Sequence, residues 1–227
     1  MNDLAPTPRQ LGELARLALT NAADLAADAQ VLLDAERYPR AFALATLAAE
    51  ELGKHYLCVS WSGFDPADRK LWRRFWKEFH GHTPKLEHWI GYVIDLVGLV
   101  DYESWEETWK LMPVGAQSQH QVKLATFYVD FRDGAPTFPR DMVSAGTAWD
   151  FLAAVHGTVR SLEVHWGSTD IGQFLEDIAP RMRRLMAALK QARETRDWDS
   201  ARAVFAETLG IDESTFDQML SPYGRPR

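Results

Sequence analysis

Residues 40–61 read RAFALATLAAEELGKHYLCVSW, a run with apolar residues on nearly every side of a helical projection and one polar insertion, Glu50 to His55. A helix with no broad polar face has to be surrounded by other helices, so this segment is expected at the centre of a bundle. The polar insertion then becomes the feature to explain. Glu51 follows Leu44 by seven and Leu47 by four, which directs it into or beside the core, where a carboxylate needs a partner. Glu50 and Lys54, four apart, fit a plain surface pair worth a few tenths of a kcal/mol.

Outward from this segment the pattern stays helical. Thr7-Pro8 is an N-cap followed by proline at the first helical position, and Leu11, Leu14, Ala18, Ala22, Leu25 and Ala29 recur near the helical period. The first helix is predicted over about 8 to 36 and the central one over about 40 to 61. Asp65-Pro66 and Thr83-Pro84 open a third, about 66 to 80, and a fourth, about 84 to 101. Short Trp-rich helical turns are expected over about 102 to 112 and a fifth helix over about 116 to 130. DFRDGAPTFPRD (130–141) holds a glycine and two prolines and reads as a loop, with Phe127 to Phe131 as an alternative short strand. Further helices follow at about 147–166, 175–196, 199–209 and 212–220, before a frayed SPYGRPR tail. The fold class is all-α: an irregular multi-helix bundle in a single domain, with a core over about 8 to 135 and a helical extension over about 145 to 220.

Composition limits the function classes. The 227 residues are 46% hydrophobic and 25% charged, which describes a folded globular chain. Cys58 is the only cysteine, so no internal disulfide forms and a reducing, cytoplasmic setting fits. The N-terminus has no leader pattern and no stretch reaches membrane-spanning length, so neither export nor a membrane partner is expected. A net charge of -7 argues against a broad basic nucleic-acid surface but leaves room for a locally basic site.

Such a site is suggested by RRFWKEFHGHTPK (73–85). Trp72, Phe75, Trp76 and Phe79 share one helix face and read as core. Arg73 and His80, seven apart, line the edge of that face with Lys77 close by, while Arg74 points away and also stands six residues before His80. His82 and Lys85 follow at a break that Gly81 permits, where the N-terminal amides of the next helix favour anions. Lys123, Phe127 and Asp130 share a line in the fifth helix, with Tyr128 beside it. The plain alternatives are a buried structural ion pair for the glutamate, a capping role for the histidine and a solvated surface for the basic face of PRMRRLMAALKQAR (180–193). Glu51, His55, His80 and His82 are of the residue types that bind a metal if the fold brings them together. Bundle metal sites repeat Glu-x-x-His on two helices and this chain has no such repeat, so neither metal nor cofactor is expected.

Three segments in order, ALATLAAEELGKHYL (43–57), LWRRFWKEFHGHTPKL (71–86) and KLATFYVDF (123–131), resemble the AbiV-type abortive-infection proteins, a divergent branch of the HEPN helical domains. The resemblance spans about residues 15 to 135. Its most specific elements are the run Glu50 to Lys54, His82 with Lys85, and Lys123 with Tyr128 and Asp130. It implies an antiphage effector, with RNA or a phage or host protein as partner and a homodimer as its assembly. Many HEPN proteins are metal-independent ribonucleases with an Arg-x4-6-His motif. By that resemblance His80 or His82 is the acid/base, Arg73 or Arg74 the phosphate clamp, and Glu50 or Glu51 the group that orients them. Lys54, Lys85, Lys123, Tyr128 and Asp130 then line the substrate. The motif departs from the nuclease pattern at Phe75, where a polar residue is common. The alternative is a non-catalytic module that senses a phage component or blocks a host process such as translation.

Overall fold

A computed structural model describes residues 4–97, 105–132, 134–195 and 198–209. Eight α-helices, one small hairpin and a 3-10 turn at Pro139–Asp141 account for the regular structure among them. The first helix, α1 (Pro8–Asp34), opens on a capping box in which the Thr7 hydroxyl accepts from the amide of Gln10 and the Gln10 side chain accepts from that of Thr7. A tight turn through Glu36, at φ 58, returns the chain as α2 (Tyr38–Trp61). The two helices meet along small residues, Ala15, Ala22, Ala26 and Ala29 against Ala41, Ala45, Ala48 and Ala49, all fully buried. Alanine at such a seam lets the backbones come close and loses little side-chain entropy on burial.

α2 is the centre of the bundle, in contact with α1, α3 (Arg69–His80), α4 (His82–Val97), α5 (Trp105–Phe127) and α6 (Ala145–Trp166). His55 ties three of these helices together. Its Nδ1 lies 2.9 Å from the Ala15 carbonyl of α1, and its Nε2 accepts from the Trp166 indole of α6 at 3.0 Å. That pairing puts the proton on Nδ1 and makes His55 a neutral core residue, consistent with burial pushing its pKa down. α3 turns Trp72 and Phe75 into the core against Trp61 and leaves Arg73, Arg74 and Lys77 outside.

Several boundaries differ from the sequence expectation. α5 begins at Trp105 rather than near 116 and carries Pro113 inside it, so the Trp-rich segment from 105 onward is helix; the part before 105 lies outside the described residues. α5 then stops at Phe127, and the Gly/Pro-rich loop contains an antiparallel hairpin, β1 (Asp130–Arg132) with β2 (Ala135–Thr137). α7 (Ile171–Thr195) starts four residues early because Asp170 caps it, accepting from Gln173 N, and it absorbs Pro180. α8 is Trp198–Leu209; the helix expected near 212–220 and the tail lie outside the described residues.

One close approach fixes the position of α4. A Cβ built on Gly53 of α2 would lie 1.8 Å from the backbone oxygen of Lys85, so only glycine lets α4 pack this tightly. The backbone of Lys85 is thereby held beside α2, one turn from Glu50. Gly53→Ala is expected to reduce the unfolding free energy by about 1–3 kcal/mol or more, the usual cost of overpacking a rigid contact, as read from urea denaturation.

Candidate functional site

Glu50, with 2% of its surface exposed, is the most deeply buried acid at the bundle centre. Its carboxylate gathers residues from two further helices. Oε1 accepts from Nζ of Lys123 in α5. Oε2 lies 3.2 Å from Nζ of Lys85 and accepts from Nδ1 of His82 at 2.7 Å, both in α4. Lys85 and Lys123 are themselves 5% and 4% exposed, so three charged groups are packed away from water around one another. Burial alone would raise the Glu50 pKa, but hydrogen bonds from Lys123 and His82 and the charges of Lys123 and Lys85 hold it below the ordinary carboxylate value. Burial pushes the Lys85 pKa down against the attraction of Glu50. Two ammonium groups facing one carboxylate leave an excess of one positive charge.

His82 is the outlet of this network to the surface. Its side chain is 53% exposed, and Nδ1 on Glu50 leaves Nε2 as the nitrogen able to meet an outside group. The ring of His120, from α5, stacks on it with centroids 5.2 Å apart and planes 14° from parallel. Burial, then the charges of Lys123 and His82, push the His120 pKa down, so its ring is neutral at pH 7. His120 Nδ1 is buried and has no hydrogen-bond partner among the described residues. A Glu50 oxygen and one nitrogen each of His82 and His120 lie within 4.8 Å of one another.

Of the residues singled out in the sequence, Glu50, His82, Lys85 and Lys123 converge here. Glu51 does not, and pairs with Lys54 at 2.6 Å on the flank of α2. The sequence places Glu51 into or beside the core because it aligns with Leu44 and Leu47; those leucines are themselves half-buried, so the line marks the edge of the core, and the fully buried carboxylate is Glu50. Lys54 also lies over the Phe79 ring at 5.3 Å. Arg73, Arg74 and His80 stand on the outer face of α3, apart from the Glu50 cluster. Arg74 bonds Glu78 at 2.6 Å, Arg73 is exposed, and His80 stacks on Trp76 at 5.8 Å. Tyr128 is 66% exposed just past α5, and Asp130 opens β1. The sequence reading missed His120. Its signal was a second His-x-x-Lys, His120 to Lys123, matching His82 to Lys85: in each helix an i,i+3 pair puts imidazole and ammonium on one side.

Comparison with known proteins adds one finding. A family model described as AbiV, of HEPN type, matches residues 10–160, which runs from the first turn of α1 into α6. No curated protein matches the chain, and no solved structure matches it.

The ion cluster makes a stability prediction. Glu50→Gln leaves two buried lysines without a counter-charge and is expected to cost about 3–5 kcal/mol at pH 7 in urea denaturation. Because the folded pKa of Glu50 lies below its unfolded value of 4.5, its contribution is complete above that value and is lost as pH falls through the lowered one. The gap between wild type and variant therefore narrows as the pH is lowered from about 5.

Proposed function

The chain belongs to the AbiV family of HEPN-type abortive-infection proteins, and from that premise we propose that it is a metal-independent endoribonuclease whose active group is His82. The observation that carries this reading is an imidazole half in water whose Nδ1 is fixed by a buried carboxylate. A histidine held in this way presents Nε2 in one orientation, as a group that moves protons must. Cleavage of RNA by its own 2′-hydroxyl needs proton movement and relief of negative charge on phosphorus. His82 supplies the first. The surplus positive charge of Lys85 and Lys123 supplies an attractive field for the second, in a place where water screens it poorly.

Glu50 is a positioning residue in this scheme and does not touch the substrate. Arg73 and Arg74, on the exposed face of α3, suit the approach of an RNA backbone better than contact with the reacting phosphate. Lys54, paired with Glu51, flanks the cluster and adds to its field. Function inside the cell and assembly as a homodimer remain parts of the same proposal. Among the described residues no helix is long and apolar enough to cross a membrane.

A second reading is favoured by a separate observation. Tyr128, Val129, Phe131 and Phe138 are exposed by 66%, 66%, 67% and 49% at the end of α5 and around the hairpin. An apolar surface of this kind suits docking on a phage or host protein, with the polar cluster serving only to hold the helices.

Purified protein is expected to cleave cellular RNA in the presence of EDTA, and His82→Ala is expected to lose at least about 100-fold in rate, the usual share of a general acid/base group. Its thermal melt stays close to wild type because the side chain is half in water. Intact RNA with the wild-type protein would leave the docking reading in possession.

A further inference from the structure

We propose that His120 is the second proton-transfer group of this site, so that the two His-x-x-Lys segments of α4 and α5 act as a base and an acid on one phosphodiester. The inference rests on the nuclease reading above and deepens it. His120 and His82 come from different helices, yet their rings are stacked at 5.2 Å and 14°. A nitrogen of each ring lies within 4.8 Å of the other, close enough for two imidazoles to meet one ligand. Their surroundings differ in the way an acid/base pair requires. His82 donates Nδ1–H to Glu50, which leaves Nε2 free to give up a proton at the surface. Among the described residues nothing hydrogen-bonds Nδ1 of His120, which sits three residues from Lys123 and whose pKa is pushed down by burial and by that neighbouring charge, against the pull of Glu50.

The chemical step balances without any other reactant. Neutral His120 takes the proton from a ribose 2′-hydroxyl as O2′ bonds to phosphorus. The P–O5′ bond then breaks, and O5′ leaves with a proton from Nε2 of His82. The products are a 2′,3′-cyclic phosphate and a 5′-hydroxyl end. Exchange with solvent returns the proton from His120 to His82 for the next turnover.

Glu50, His82 and His120 are also a donor set suited to zinc. Lys85 and Lys123 weigh against that use. Both ammonium groups occupy the oxygens of Glu50, so a divalent cation would have to displace them or sit beside two like charges in a buried setting. The same charges favour an anion. The groups that face the histidine pair, and whose charge shapes its titration, are Glu50 from α2, Lys85 from α4 and Lys123 from α5.

The test uses the full chain and an oligonucleotide with a single ribonucleotide, prepared with either oxygen or sulfur bridging phosphorus to the 5′ carbon. A sulfur leaving group needs no proton. His82→Asn and His120→Asn are each expected to fall at least about 100-fold on the oxygen substrate. On the sulfur substrate His82→Asn returns to near wild-type rate while His120→Asn stays slow, and the acid limb of the wild-type pH–rate profile is absent from His120→Asn. His120→Gln, with melts of all variants, guards against a variant that fails to fold. An active wild type with His120→Asn within twofold of it, sulfur rescue of His120→Asn, or activity that requires added zinc and disappears with EDTA would each overturn the assignment. A wild type inactive on both substrates sinks the nuclease reading itself, a distinct result.

Discussion

A charge can be kept away from water only when other charges and hydrogen bonds replace the water, and Glu50 makes this the governing constraint of the bundle. Its carboxylate sits in the most enclosed helix, and the groups that satisfy it arrive from two others: Lys85 and His82 in α4, Lys123 in α5. The packing of α4 and α5 on α2 is thus set by electrostatics as well as by apolar fit. A hydrophobic group of similar size would hold the same helices at no greater cost, and often at less. The arrangement therefore answers to something besides stability. Only one member of the cluster, His82, reaches solvent to a large extent, which turns a buried ion network into a surface site with one outlet.

Much of the fold was legible because caps and prolines mark helix starts, as Thr7 with Pro8 does for α1; Ser144, accepting from Thr147 N, starts α6 two residues before the expected 147. The errors arose where a residue had two physical meanings. The Trp-rich turns and the fifth helix read as separate pieces, yet α5 runs from Trp105 through Pro113 as one helix; the glycine and prolines after Phe131 read as loop, with a short strand over Phe127 to Phe131 as the alternative, yet a hairpin forms over Asp130–Arg132 and Ala135–Thr137. The Glu50/Glu51 choice shows the limit of helical projection. On a helix buried almost all round there is no polar face to orient the wheel, and Leu44 and Leu47 mark an outer edge rather than the centre. The four converging residues, Glu50, His82, Lys85 and Lys123, were within reach of motif reading because their spacing carries the chemistry. His120 was not found because nothing in one sequence says that two His-x-x-Lys segments 38 residues apart will face each other.

The third helix separates two roles that the sequence merges. Its strongly amphipathic sequence uses Trp72 and Phe75 to dock against Trp61, and this leaves the cationic residues on the opposite side, in water. Gly81, at φ -74 and ψ 141, then leaves the helical path, and α4 starts at once with His82 in its first turn. His80 and His82, two residues apart, consequently have different neighbours: a tryptophan for one, a glutamate and a histidine for the other.

The matched family span ends at residue 160, inside α6, but the packing of α1 does not end with it. α7 lies along α1, with Ile171 and Leu175 in the same buried cluster as Leu11 and Ala15. A Cβ on Gly12 would lie 2.4 Å from Cα of Gly172, so the two helices touch backbone to backbone there. Ala15, one turn further along α1, offers the carbonyl that holds His55. The C-terminal part of the chain is therefore not free of the core: exposed positions of α7 are open to change, whereas a side chain at position 12 pushes α7 away from α1, the helix whose Ala15 carbonyl holds His55. The C-terminal extension is thus mounted on the bundle through a glycine contact, where two backbones stand in for side-chain packing.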